Sequence, residues 1–128
     1  MARYPEGGGF DAWPGMLHLT RVSNTGAAFG ILKESGFLLP LISAVSIVFF
    51  VFYLVRKIFI ERVPVTLSHW AWALVAAGAS GNLYDRLRFG YVVDFIDLRV
   101  WPVFNIADVS ICVGVFFVGL RILSRPKG

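Results

Sequence analysis

An asparagine and an aspartate, Asn105 and Asp108, stand inside "VFNIADVSICVGVFF" at residues 103–117, a run otherwise apolar enough to begin a membrane span. Ionisable groups at that depth are costly and usually face a polar interior. Other polar groups precede them. Asp85 and Arg86 close the apolar stretch before, Asn82 shares a helical face with Asp85 at i,i+3, and Asp94 and Asp97 follow in the connecting segment. Asp94 is set among Val92, Val93, Phe95 and Ile96, so its carboxylate is expected to turn into a partly desolvated place. Two carboxylates held close in such a place cannot both ionise easily. One pKa rises, and the pair can activate water as base while protonating a leaving amine as acid. That is the chemistry of aspartic peptide hydrolysis.

Simpler roles exist for each acid. Asp108 could satisfy free backbone N–H groups at a helix start. Asp85 could be a structural ion pair with Arg86, and Asp97 and Arg99 read as solvated loop charges. Other chemistries have less support. His18 and His69 are far apart and near no serine in a nucleophile motif, so neither a Ser–His pair nor a metal site is expected. The single cysteine, Cys112, has no partner for a disulfide or a thiolate cluster and reads as packing.

Positioning these residues falls to the apolar segments. Of the 128 residues 57% are hydrophobic and 16% charged, more apolar than a soluble domain of this length needs. Three runs are long enough to cross hydrocarbon, about 37–55, 67–84 and 104–123. The first, "GFLLPLISAVSIVFFVFYLV", has no charge and no polar face to turn toward water. The expected fold is an all-α membrane protein, one domain over 1–128, built as an antiparallel bundle of transmembrane helices. A small β and loop element at the outer surface completes it, because "GMLHLTRVSNTG" reads as a short strand and a turn within region 1–36. Pro102 is expected to restart a helix. Ala73, Ala77 and Gly81 form a small-residue stripe for close helix packing.

Three antiparallel spans put residues 1–36 and 85–103 on one face, with 56–66 and the C-terminal tail on the other. Arg3, Arg21, Lys33, Arg86, Arg88 and Arg99 then oppose Arg56, Lys57, Arg62, Arg121, Arg125 and Lys127, a numerical tie. The second set crowds against span ends in short segments, which places that face in the cytoplasm. The net charge of +4 suits anionic lipid, and no nucleic-acid motif is present.

Four stretches in order, "NTGAAFG" at 24–30, "GNLYDR" at 81–86, "VVDF" at 92–95 and "FNIAD" at 104–108, make the chain resemble the lipoprotein signal peptidases, or signal peptidase II. The likeness runs from about residue 16 to residue 124. It implies a four-helix aspartyl endopeptidase of the bacterial inner membrane. Such an enzyme cuts prolipoprotein signal peptides before the diacylglyceryl-modified cysteine, at the outer membrane face and without metal or cofactor. By motif, Asp94 and Asp108 would be the catalytic pair. Asn24, Asn82, Asp85, Arg86 and Asn105 would line and order the substrate site. The family also begins with a further transmembrane helix bearing an Asp and a Lys. Nothing before Phe37 resembles that helix, so an upstream span is expected to be absent from this sequence. Two other functions remain: a family member that binds without cutting, and a membrane subunit using Asp85, Asp94 and Asp108 for proton or cation passage.

Overall fold

A computed structural model describes residues 5–26 and 37–124. The chain runs β1 (Gly9–Trp13), β2 (Leu17–Asn24), α1 (Leu38–Val55), α2 (Leu67–Phe89), β3 (Val92–Asp97) and α3 (Ile106–Leu123). Residues 27–30 of the "NTGAAFG" motif, and Arg3, Lys33, Arg125 and Lys127, lie outside the described residues.

Two segments are long and apolar enough to cross a membrane, Leu38–Ile60 and Ile106–Leu123. The first outruns its expected end because one π-helical turn, Arg56–Ile60, continues α1. Its wall of Phe, Val, Leu and Ile is outward-facing, and no residue of α1 is buried, as suits a helix whose solvent is hydrocarbon. The middle run differs. α2 does not qualify as a span by hydropathy, since Ser68, His69, Ser80, Asn82 and Tyr84 dilute its apolar content. It is nonetheless 23 residues long, about 34 Å. It also continues past Tyr84 to Phe89, where Gly90, at φ +82°, ends it in the left-handed conformation. Charge at residues 85–88 keeps a segment out of lipid but does not stop a helix. Arg86 and Arg88 in the last turn favour it through the helix dipole.

α2 and α3 meet backbone to backbone at two glycines. A Cβ on Gly78 would stand 2.4 Å from the Ala107 carbonyl oxygen, and one on Gly114 2.6 Å from that of Ala71. The packed face of α2 is therefore Ala71, Val75, Gly78 and Asn82, all buried. The expected stripe is largely elsewhere: Ala77 and Gly81 are exposed, with only a 3.4 Å approach from Gly81 to Ala107. α1 packs on α2 with the Phe50 ring stacked on Trp72, centroids 4.8 Å apart.

The three strands form an antiparallel sheet in the order β1, β2, β3. It is larger than the strand and turn expected, because β3 arises from the segment read as a charged loop. In "VVDFID", Val92 and Asp94 are buried and the remaining positions half-buried. The period of two is present, with an aspartate at an inward position. Val22 pairs with Asp94 and Asn24 with Val92, so these four share one face of the sheet. Arg21 Nη2 donates to the Tyr91 hydroxyl at 3.0 Å and ties β2 to the entry of β3.

α3 does not begin at Pro102. Its N-cap is Asn105, in extended conformation, and Pro102 lies in the preceding connection. An isolated bridge between Ile96 and Phe104 occupies that connection, with Phe104 N–H donating to Ile96 O at 3.1 Å. The helix therefore waits until the backbone is released from the sheet.

Candidate active site

Two helix ends and one sheet face converge at one end of the bundle. α2 delivers Asn82, Asp85 and Arg86 from its last turns, β3 delivers Asp94, β2 delivers Asn24, and the start of α3 delivers Asn105 and Asp108.

Asp94 is 2% exposed, yet both its oxygens are bonded. Asn24 Nδ2 donates to Oδ2 at 2.8 Å and Asn105 Nδ2 to Oδ1 at 2.9 Å. Burial pushes the Asp94 carboxyl above the ordinary range. The Asn24 hydrogen bond works against that shift, the Asp108 charge adds to it, and the Asn105 bond and the Arg86 charge oppose it. Asn24 is itself held, because its Oδ1 accepts the Gly26 amide at 2.8 Å across a turn where Gly26 has φ +73°.

Asp108 is reached through amides. Asn105 Nδ2 donates also to Asn82 Oδ1 at 3.1 Å, and Asn82 Nδ2 donates to Asp108 Oδ1 at 2.9 Å. A continuous chain, Asp94 to Asn105 to Asn82 to Asp108, thus joins the two carboxylates. Asn105 and Asn82 are 4% and 8% exposed. The two hydrogens of the Asn105 amide are used by Asp94 and Asn82, leaving the 3.4 Å approach to Val93 O as the longest contact.

Asp108 also has the helix-start role. Asn105 Oδ1 accepts the Asp108 amide at 3.0 Å and Asp108 Oδ2 accepts the Asn105 amide at 3.2 Å, a reciprocal capping box. The two roles coexist, one for each Asp108 oxygen.

The remaining residues separate. No Asp85–Arg86 ion pair forms among the described residues. Asp85 Oδ2 accepts the Val93 amide at 3.0 Å, which pins β3 beside α2 one residue before Asp94. Arg86 Nη1 donates to Asn82 O at 3.4 Å. Asp97 lies at the far end of β3, where its carboxylate accepts the Arg99 amide and pairs with the Arg99 guanidinium at 3.7 Å, apart from the cluster. Among the described residues, no group of three or more acids, histidines and cysteines has the arrangement of a metal site. His69, for which the sequence offers neither a metal-site nor a serine partner, has a capping role: its Nδ1 accepts the Thr66 amide at 3.0 Å at the other end of α2. The Thr-x-x-His spacing was the available signal.

Fold and cluster together define a membrane helix bundle that carries paired carboxylates on an amide scaffold. A profile of the Signal peptidase (SPase) II family matches residues 2–124, and the chain belongs to that family. It is 45% identical over 112 residues to a lipoprotein signal peptidase of Halothermothrix orenii, covering 88% of this chain and 74% of that one. It is 47% identical over 113 residues to one from Moorella thermoacetica, covering 88% and 71%. A bacterial membrane enzyme solved by the in meso method at 1.9 Å superposes with a TM-score of 0.82 at 31% identity, covering 96% of this chain and 79% of that one.

Proposed function

We propose that this chain is an endopeptidase that removes signal peptides from prolipoproteins just before the diacylglyceryl-modified cysteine. Asp94 and Asp108 are the pair that activates water. The family and its curated relatives support the substrate class. The amide chain that joins a buried Asp94 to Asp108 is the observation that carries the mechanism.

The two carboxyls differ in environment, which suits a division of labour. Asp94, with its raised affinity for a proton, is the acid. Asp108 is the base. It takes a proton from water as the water oxygen adds to the scissile carbonyl carbon. Asp94 then gives its proton to the amide nitrogen as the C–N bond breaks. Asn105 and Asn82 fix the separation of the pair, Asn24 orients Asp94, Asp85 holds β3, and Arg86 tempers the pKa of Asp94 through its charge. Taken as the span between α1 and α3, α2 carries the site to the face opposite Arg56, Lys57, Arg62 and Arg121, which by the positive-inside rule is the outer face of the bacterial cell membrane.

The direct experiment follows a diacylglyceryl-modified precursor by intact mass in detergent, alongside the same precursor unmodified. Release of the signal peptide from the lipid-modified form supports the reading, and cleavage of neither form contradicts it. The capping box favours one alternative, that Asp108 serves only the helix start. Asp108→Asn retains an oxygen to accept the Asn105 amide, so a cap-only Asp108 leaves cleavage intact in that variant.

A further inference from the structure

At the end of the bundle away from the carboxylates, a cavity of about 430 Å³ opens between the end of α1, the start of α2 and the end of α3. From His69 to Asn82 along α2 the separation is about 20 Å. The cavity is of a size for an organic ligand. Its rim is cationic. Arg121, in the last turn of α3, is exposed and makes no hydrogen bond or ion pair with the described residues. Lys57, from the π-helical turn, lines the cavity and shares Glu61 with Arg56. Four cations, Arg56, Lys57, Arg62 and Arg121, accompany one described carboxylate, Glu61, at this end. The wall below is aromatic: Phe50 stacks on Trp72, and Tyr53 meets Trp72 edge-on at 6.2 Å.

A cationic rim above an apolar, aromatic wall matches an amphiphile with an anionic head and an apolar tail. We propose that this cavity binds the phosphate headgroup of an anionic glycerophospholipid from the leaflet at that end, with the upper acyl chains against Phe50, Tyr53 and Trp72. Arg121 meets the phosphate, Lys57 adds charge, and Ser68 in the first turn of α2 supplies a hydroxyl on the cavity wall. A choline headgroup brings a cation toward Arg121 and Lys57 and is disfavoured. This site is separate from the proposed peptidase chemistry.

The test is thermal unfolding of the full chain in neutral maltoside detergent, titrated with dioctanoyl phosphatidylglycerol, dioctanoyl phosphatidylcholine or inorganic phosphate. Phosphatidylglycerol raises the Tm saturably, and the other two at equal concentration do not. Arg121→Gln weakens the apparent affinity about fivefold, the equivalent of about 1 kcal/mol for one interfacial cation. Arg121→Lys keeps most of it. Ser68→Phe, which puts a ring on the cavity wall with all charges intact, weakens the shift at least as much as Arg121→Gln, and Arg62→Gln, at the same end outside the cavity lining, leaves it unchanged. Equal weakening by Arg62→Gln and Arg121→Gln would mean diffuse surface charge and overturn the proposal. So would an equal shift with phosphatidylcholine, or unchanged binding by a folded Ser68→Phe. A full shift from inorganic phosphate alone would overturn the assignment to lipid.

Discussion

Asn105 performs three tasks at once: it caps α3, donates to Asp94 and donates to Asn82. Capping alone is satisfied almost equally by Ser or Asp, so a cap-only residue tolerates both substitutions. The cluster predicts otherwise. Asn105→Ser leaves Asp94 Oδ1 and Asn82 Oδ1 without this donor in a buried place and should cost about 1–3 kcal/mol. Asn105→Asp should cost more, because it turns a second carboxylate toward Asp94, and lowering the pH should relieve it. Denaturation midpoints of the two variants at two pH values check this. Asp94 itself gives a pH signature. Its folded pKa is raised above the 3.8 of an unperturbed aspartate, so between those two values the folded chain holds a proton that the unfolded chain has released. Its contribution to stability therefore falls as pH rises from about 4 through the folded pKa, then levels off. Asp94→Asn removes that slope, and melts of both proteins across this range measure the difference. Asp94, Asn105 and Asp108 were legible in the sequence because polar residues among apolar ones stand out. The role of Asp85 was not. Its neighbour Arg86 offered an obvious partner, whereas its actual partner is a backbone amide, Val93, which leaves no trace in composition.

Among the elements, the helix starts are legible in the sequence to within two residues, since apolar runs of span length admit few other structures. α2 began at Leu67 as expected. Its extension to Phe89 is hidden in the sequence because charge at residues 85–88 marks the end of lipid and not the end of the helix. Gly90 marked the true stop. β3 is hidden for a related reason: Asp94 and Asp97 give "VVDFID" the composition of a solvated loop, although its inward aspartate keeps the strand period. Helix contact faces are harder still. Several small residues of α2 lie at four-residue spacing, and sequence alone does not say which row meets α3. The structure selects Gly78 and Gly114, where added Cβ atoms would collide with backbone oxygens. Gly78→Ala and Gly114→Ala should each destabilise the bundle by about 1–3 kcal/mol, because backbone must move to admit them. Gly119→Ala, which meets nothing within 4 Å, should be neutral or slightly stabilising through helix propensity. Unfolding midpoints in mixed detergent rank the three, and a harmless Gly78→Ala would contradict the close approach.

The whole molecule is polarised. The buried Asp94 gathers with Asp108, Asn82 and Asn105 where α2 ends and α3 begins, while Lys57 and Arg121 line a cavity at the opposite end. Such segregation suits a proposed peptidase that meets a lipid-modified substrate at one membrane face and is anchored through cations at the other. The central claim is that Asp94 and Asp108 act as a single unit on that substrate. Single-turnover cleavage of a diacylglyceryl-modified precursor, compared for the parent chain, Asp94→Asn, Asp108→Asn and the double variant, tests it most directly. Each folded single variant should lose activity by a factor on the order of a thousand or more, and the double variant should lose no more than the worse single, because either change disables the same unit. Near-parent turnover by either folded single variant, or losses that multiply in the double variant, would contradict the account.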